Sequence, residues 1–557
     1  MKKDDKLSFL PETEDGKVDL NEMTDSEILE VVVEKGSERK ACRYLGVART
    51  TFQERHKLAR LRFYRERKAL QAINIERPAT GVKHVIYTSA QDATVPHQGF
   101  LLNLKAYAQH LGADLMISGF TYSKRLFEEH SKHHASFHQD IRPYLMNERV
   151  HIDGKIALCG EMNTLPTAVD PLSGYDVYTK QMWGVFPHAK VRLKSIPTMK
   201  SDPAKQIMTT GTCTRTNYIP KNAGIKASFH HVIGAVIISI DSEGDFFIRH
   251  LLAEDSADGA FYDLDHRVSH GQVTTGHRVE AINWGDIHRE KLDPTVAASC
   301  WGYDPTGEGR KLTHGDILKR GLSTTIIDAL KPRYQFMHDT HDFSARNHHN
   351  IRDFHFIYKQ FCHGQDSVEA DFNKSANFLH NTKRDFCKSV AVESNHDLAI
   401  EKWLKVPDAY ANDPINAEFF LEAQARKMRS IRLAENKFSI FEWSLKRNQD
   451  YDLSDIVFLR EDDSFLIAGD IECGNHGHLG ANGARGTPKS YARMGGRSNT
   501  GHTHSPEIIG GSYVSGVSGV LDMGYNSGLS SWAHAHIFTY PNGKRVIITM
   551  RGPKWRA

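Results

Sequence analysis

An α/β protein in three successive parts is what this sequence predicts, and three observations predict it. Residues 24–68 combine helical periodicity with a basic excess, and residues 83–120 read as strand, amphipathic helix and strand. From about residue 278, a series of apolar strands each runs into a polar motif. At 557 residues the chain suits three or four domains. Its 39% hydrophobic and 25% charged residues allow a sizeable core and exclude wholesale disorder. The expected division is a flexible N-terminus at 1–20, a helix-turn-helix at 21–78, a Rossmann-like α/β region at 79–277 and a layered α/β region at 278–557.

Composition narrows the chemistry without locating it. Lys plus Arg (71) against Asp plus Glu (68) gives a net charge of +3, too little for the whole surface to bind nucleic acid. Seven scattered cysteines with no C-x-x-C pair argue against a disulfide framework or a thiolate zinc site and suit a reducing compartment. The start, MKKDDKLSFLPETEDGK, has no apolar signal core, and no apolar run reaches 18 residues, so a cytoplasmic protein with no membrane partner is expected. The 32 histidines point toward metal or acid–base chemistry.

In the first part, Ile28, Leu29, Val31, Val32 and Val33 suit a helix after a Thr24 start signal. Ser37 then caps a helix carrying Ala41, Tyr44 and Leu45, and Gly46 supplies a tight turn. Val47 packs inward, and a further helix starts at Ala48–Thr51 with Phe52 and Leu58 on its buried side. Residues 36–68 hold eleven Lys/Arg and three Glu, a local balance of +8. The segment resembles the small factor-for-inversion or homeodomain-like helix-turn-helix class. That resemblance implies DNA contact by Arg49, Thr50 and Gln53, with Arg55 and Lys57 near phosphates. The bland alternative is a helical assembly module with a solvated basic face.

In the second part, residues 85–90 and 113–120 read as strands flanking a helix at 97–112 closed by Gly112. This β-α-β unit implies a parallel, Rossmann-like layer. No G-x-G-x-x-G follows the first strand, which argues against a dinucleotide. Further strands are expected near 155–158, 235–240 and 246–249, the last two joined by a turn at 242–244. His130, His133, His134 and His138 have helical spacing, but a solvated face is the better reading than a metal site.

The third part carries the motifs. RVEAINWGDIH leads into Asp286 and His288, RYQFMHD into Asp339, KSVAVESNHD into Asn395-His396-Asp397, and SFLIAGDIECGNHGH into His476 and His478. The last motif is Gly501-His502-Thr503-His504, before which no apolar strand is visible. Four of the five thus follow a strand's C-terminal end, where sites of layered α/β folds assemble.

In order, D-x-H, D, N-H-D, H and G-H-x-H resemble the calcineurin-like metallophosphoesterase superfamily, over about 280–550. The resemblance implies a four-layer β-sandwich flanked by helices and two divalent ions, Mn²⁺ foremost, with Mg²⁺, Fe²⁺ or Zn²⁺ as alternatives. It places Asp286, His288 and His504 on the first ion, Asp339 between both, and Asn395, His476 and His502 on the second. His396 would protonate the leaving oxygen or stabilise phosphate charge, and Asp397 would orient it. His478 competes with His476. The sequence departs from the pattern at His338 and Ser394, where Gly is usual. His338, His341, His348 and His349 crowd the second motif; any could contact phosphate, but each is better read as a supporting or surface residue. The 79-residue gap from Asp397 to His476 suggests an insertion containing a helix over 414–430 that could cap the site. The chain's end reads as a hairpin turning at Pro541-Asn542-Gly543, with His534 and His536 structural.

Such a site suits a protein phosphatase, a nucleotidase or an SbcD-type nuclease. The basic helical segment favours DNA as substrate. Domain order is also similar to the host-DNA-degrading deoxyribonucleases of virulent tailed coliphages, implying a DNase of the host cytoplasm, with a homo-oligomer allowed. The competing expectations are a phosphatase or nucleotidase of the same fold, and a DNA-binding regulator with an inactive site.

Overall fold

The computed structural model describes residues 18–68, 72–122, 135–347 and 353–557, with backbone only at Val33 and 61–68. The expectations for 1–17, for His130, His133 and His134, and for His348 and His349 lie outside the described residues. The chain divides into two compact units, Met1–Ile73 and Asn74–Ala557.

The first unit holds helices Asp25–Lys35, Glu38–Leu45 and Arg49–Lys68. The first is opened by a reciprocal cap: Thr24 N donates to Glu27 Oε2 at 2.7 Å, and Glu27 N to Thr24 Oγ1 at 3.3 Å. Ser37 caps the second by accepting from Lys40 N, and Gly46, at φ 69°, closes it. The core comprises Leu20, Met23, Ile28, Val31, Ala41, Cys42, Leu45, Phe52 and Ala59. Leu58, expected inside, is 49% exposed. From Phe52 the buried stripe runs through His56 to Ala59, steps of four and three, and Leu58 falls off that face.

In the second unit the expected β-α-β is present. Strands Val82–Gln91 and Asp114–Phe120 pair in parallel from Val85↔Asp114 to Gln91↔Phe120, and helix Gln98–Leu111 connects them, ended by Gly112 at φ 62°. The Rossmann-like expectation stops there. The other neighbours, Gly234–Asp241 and Phe246–Leu252, are antiparallel, forming a hairpin through Gly244 at φ 86°. A tight turn can only reverse the chain, so this four-stranded sheet is mixed.

An eleven-stranded sheet takes six strands from residues 73–209 and five from 466–514. The seam is antiparallel, Ile508↔Leu193 and Ile509↔Arg192. There the Arg192 guanidinium donates to Ile508 O (2.8 Å) and Glu507 Oε1 (2.7 Å). One apolar core contains Val185, Leu193, Val236, Ile508, Ile537 and Ile547 together. A boundary at 277 therefore passes through a shared sheet and core.

The six-stranded sheet positions the site. Val457–Leu459, Lys388–Val392, Tyr334–His338 and Ala281–Asn283 lie parallel, followed by the antiparallel hairpin Ala535–Thr539/Arg545–Thr549. That hairpin turns where Pro541-Asn542-Gly543 predicts, with Gly543 N donating to Tyr540 O. Parallel strands end at one edge, so the residues after 283, 338 and 392 emerge together. Phe336, Val390, Val392, Ile467, Ile471 and Cys473 pack beneath that edge. The helix expected over 414–430 spans Ala417–Arg432.

Candidate metal centre

Backbone hydrogen bonds lay the first motif along the second. Ile287 N donates to His338 O, His288 N to Asp339 O and Arg289 N to Thr340 O, at 3.0, 2.7 and 3.3 Å. Gly285 N donates to His536 Nδ1 (2.9 Å), so the C-terminal hairpin braces the residue before Asp286. The last motif also follows a strand, contrary to the sequence reading: Arg497–Thr500, parallel to both Ile471–Glu472 and Ser512–Val514. It carries no apolar signal because its buried residues, Ser498, Asn499 and Thr500, are polar. Asn499 Nδ2 donates to Asn283 Oδ1 and Thr539 Oγ1, and the buried Arg545 donates to Ser498 O and Asn499 Oδ1.

These elements bring together Asp286, His288, Asp339 and His504, each buried and each able to place a ligand atom within 4.8 Å of the others. His504 Nε2 lies 3.2 Å from Asp286 Oδ2 and 3.0 Å from His288 Nε2, which is 3.5 Å from Asp339 Oδ2. His476 joins them, its Nε2 3.3 Å from Asp339 Oδ2 and its Nδ1 4.0 Å from Asp286 Oδ1. His502 N donates to Asp286 Oδ2 (2.7 Å), and the His502 ring packs edge-on to that of His476 at 5.2 Å. Trp532 packs on the His504 ring at 4.2 Å.

Three properties fit this cluster to a metal ion. Asp286 Oδ1, Asp339 Oδ1, Asn395 Oδ1, His504 Nδ1 and both His476 nitrogens are buried without a hydrogen-bond partner among the described residues, a costly arrangement unless another species supplies one. His288, Asp339, His502 and His504 hold left-handed backbone, φ 46°, 46°, 74° and 57°, at about 1–3 kcal/mol each. Gly501 is there because space demands it: a Cβ would stand 2.0 Å from Asp286 Oδ1. Mixed carboxylate and imidazole donors of this kind could hold a metal ion.

Electrostatics agree. Burial works to raise the Asp339 carboxyl, but the imidazoles of His476, His396 and His288 outweigh it and hold it well below the usual range. Asp286 is lowered in the same way, against burial, chiefly by His476, while Asp339 repels it. Two abutting buried carboxylates make a negative spot. Burial and the neighbouring His476 push His502 down to about 4, which keeps its ring neutral at neutral pH.

His396 sits beside the cluster, its ring 4.9 Å from that of His288. Burial would lower it, yet Asp339 and Asp342 raise it to about 10. Its expected partner is corrected. Asp397 does not face the ring: its carboxylate accepts from His341 N (3.0 Å) and Ser394 N (3.1 Å), tying the third motif's turn to the second motif. Asp342 faces it instead, with Oδ1 3.2 Å from His396 Nδ1 and 2.9 Å from His288 Nδ1. Its Oδ2 takes Lys291 Nζ (2.8 Å) and Ser344 Oγ (2.5 Å). The signal for Asp342 was present, a second carboxylate three residues after Asp339. Of the two competing histidines, His478 turns away to Glu461 Oε1 at 2.8 Å. Asn395 is half-buried after strand Lys388–Val392.

Among the expected DNA contacts, Arg49, Thr50 and Lys57 are exposed, and Gln53 is half-buried against Glu38 Oε2 (3.2 Å). Arg55 is turned inward: it donates to Leu20 O (3.1 Å) and Met23 O (2.6 Å) and pairs with Asp25. It braces the entry to the first helix and is not presented to phosphate.

No protein-family profile and no solved structure matches the chain. It is 40% identical over 483 residues to Protein A1 of Escherichia phage T5, covering 85% of this chain and 83% of that protein. The chain belongs to the family of phage T5 Protein A1.

Proposed function

We propose that this is a phage deoxyribonuclease: a divalent-metal-dependent phosphodiesterase of the calcineurin-like metallophosphoesterase type, acting on DNA in the host cytoplasm. One observation carries the reading. Segments as far apart as residues 286 and 504 converge on one buried set of carboxylates and imidazoles, and Asp286 Oδ1, Asp339 Oδ1 and His504 Nδ1 among them lack a partner among the described residues. Asp286, His288 and His504 would hold one ion, Asn395, His476 and His502 the other, with Asp339 between them. Divalent ions bound there supply Lewis-acid stabilisation of phosphate charge and a nucleophile at neutral pH.

The chain's own residues do the rest. Asp342 holds His288 through Nδ1, leaving Nε2 toward Asp339 and His504. It holds His396 likewise, and the cationic His396 ring, 17% exposed, can reach a phosphate and protonate the departing oxygen. In the helical unit, Arg39, Lys40, Arg43, Arg49 and Lys57 are exposed, a surface suited to DNA phosphates as in a helix-turn-helix.

The test compares linear duplex DNA, circular DNA and a small phosphomonoester with Mn²⁺, for the parent and His396→Ala. DNA hydrolysis that needs Mn²⁺ and falls in the variant is expected. Hydrolysis of the monoester alone would replace the nuclease reading with a phosphatase. DNA binding without turnover would point to a regulator.

A further inference from the structure

We propose that His338 is an additional metal donor of this centre, one that biases it toward nitrogen-preferring ions such as Zn²⁺, Fe²⁺ and Co²⁺ over Mg²⁺. The inference rests on the metal-centre reading above and goes beyond its ligand set. His338 ends strand Tyr334–His338 immediately before Asp339. By strand alternation it faces the same side as Phe336, into the space capped by His476.

The imidazole is fully buried, and neither ring nitrogen has a hydrogen-bond partner among the described residues. A neutral imidazole carries one donor and one acceptor, so burying both unmade is costly and calls for a partner from outside the polypeptide. The surroundings say what kind. The His338 ring lies 5.7 Å from the His476 ring, tilted 34° to it, and neither nitrogen of His476 has a hydrogen-bond partner among the described residues, although Nε2 stands 3.3 Å from Asp339 Oδ2. The charges acting on His338, after burial, are those of His476, Asp286 and Asp339. Asp286 Oδ1 and Asp339 Oδ1 are themselves unpartnered. The adjacent imidazoles of His338 and His476, each with open nitrogens, share one satisfying partner, a cation.

A neighbour inside the same motif shows the contrast. His341 is equally buried, but its Nδ1 meets Glu290 Oε1 at 2.7 Å and Ser375 Oγ at 3.0 Å, and its ring stacks on Phe372. Its place is explained by the protein alone, whereas that of His338 is not. An extra imidazole raises affinity for borderline ions far more than for Mg²⁺, which prefers oxygen.

The experiment titrates the metal-free full-length chain with Co²⁺ and with Mg²⁺ by calorimetry. It records the visible Co²⁺ spectrum and the melting temperature without metal, for the parent, His338→Leu and His338→Gln. For both variants, Co²⁺ affinity should fall at least about tenfold with an altered spectrum, while Mg²⁺ affinity moves less. Melting of metal-free His338→Leu should be unchanged or higher, because an unsatisfied buried group has gone. Unchanged Co²⁺ affinity and spectrum in either folded variant would overturn the role of His338 and leave the centre standing. A parent that binds no Co²⁺ would overturn the centre itself.

Discussion

Gly501→Ala puts the geometry of the centre to a severe test. The added Cβ would stand 2.0 Å from Asp286 Oδ1, where ordinary contact begins near 3.4 Å, so about 1.4 Å of separation must be found. The Asp286 carboxylate has little room to give. It is fully buried, and its Oδ2 accepts from His502 N and lies 3.2 Å from His504 Nε2. Its backbone N donates to Gly516 O, and the preceding Gly285 is pinned to His536. Gly501 itself has no positive φ, so the effect is steric rather than torsional. Displacing a reacting group by 1 Å costs roughly 100-fold in rate. DNA hydrolysis should therefore fall at least about that far, and Mn²⁺ affinity at least about tenfold. Initial rates on linear DNA and calorimetric Mn²⁺ titration measure both. Gly495→Ala, six residues upstream with nothing within 4 Å of the new Cβ, is the control and should match the parent. If Gly501→Ala binds Mn²⁺ as tightly as its control, the placement of Asp286 against the last motif is wrong.

Other expectations follow from single contacts. Asp342→Asn removes the charge shared by His288, His396 and Lys291, and should weaken Mn²⁺ binding about 10–100-fold; equal affinity by calorimetry would show that Asp342 only fills space. Arg55→Ala should destabilise the helical unit by about 2–4 kcal/mol, from the loss of charged hydrogen bonds to Leu20, Met23 and Asp25. Amide exchange over residues 25–60 reads that loss. Lys57→Ala should leave exchange unchanged while weakening DNA binding and reducing the salt slope by about one. Burial pushes His188 and His250 each down to about 4 from an ordinary 6.5. Unfolding frees them to bind protons first, so stability is full above pH 6.5 and is lost as pH falls toward 4, by up to about 3 kcal/mol each. Urea unfolding at pH 7.5 and 4.5 should show the loss, and replacing both with Gln should flatten it; an unchanged slope would refute their neutral burial.

The sequence was most informative where chemistry and periodicity coincide. The strands before Asp286, Asp339 and Asn395 are apolar runs of strand length, and the residues after them are acids, amides or imidazoles. Buried parallel strands need such runs because both faces are covered. The strand before Gly501 is hidden because its buried residues are polar: Asn499 donates to Asn283, Arg545 donates to Ser498 O and Asn499 Oδ1, and Arg497 pairs with Asp470. Nothing in a local window reveals a partner 46 residues away. The partner of His396 is hidden for the same reason: adjacency points to Asp397, while the fold supplies Asp342 from another strand end. His476 and His478 look alike in sequence, and only the distant Glu461 separates them. The seam between residues 192–193 and 508–509 was equally invisible, because pairing partners more than 300 residues apart leave no mark on either segment.

That seam constrains how the protein can be taken apart. A fragment beginning at residue 278 would carry Glu507–Ile509 with its outer backbone groups bare, and the remainder would expose Arg192–Ile196 to match. Each raw edge is a template for pairing with another copy, so such halves should aggregate or recombine with each other rather than fold separately. A chimaera of two diverged relatives joined near that point would inherit mismatched registers across one continuous sheet. Lesions around residues 183–209, remote in sequence from every proposed ligand, should then register as loss of catalysis, because they loosen the wall on which the last histidines are mounted.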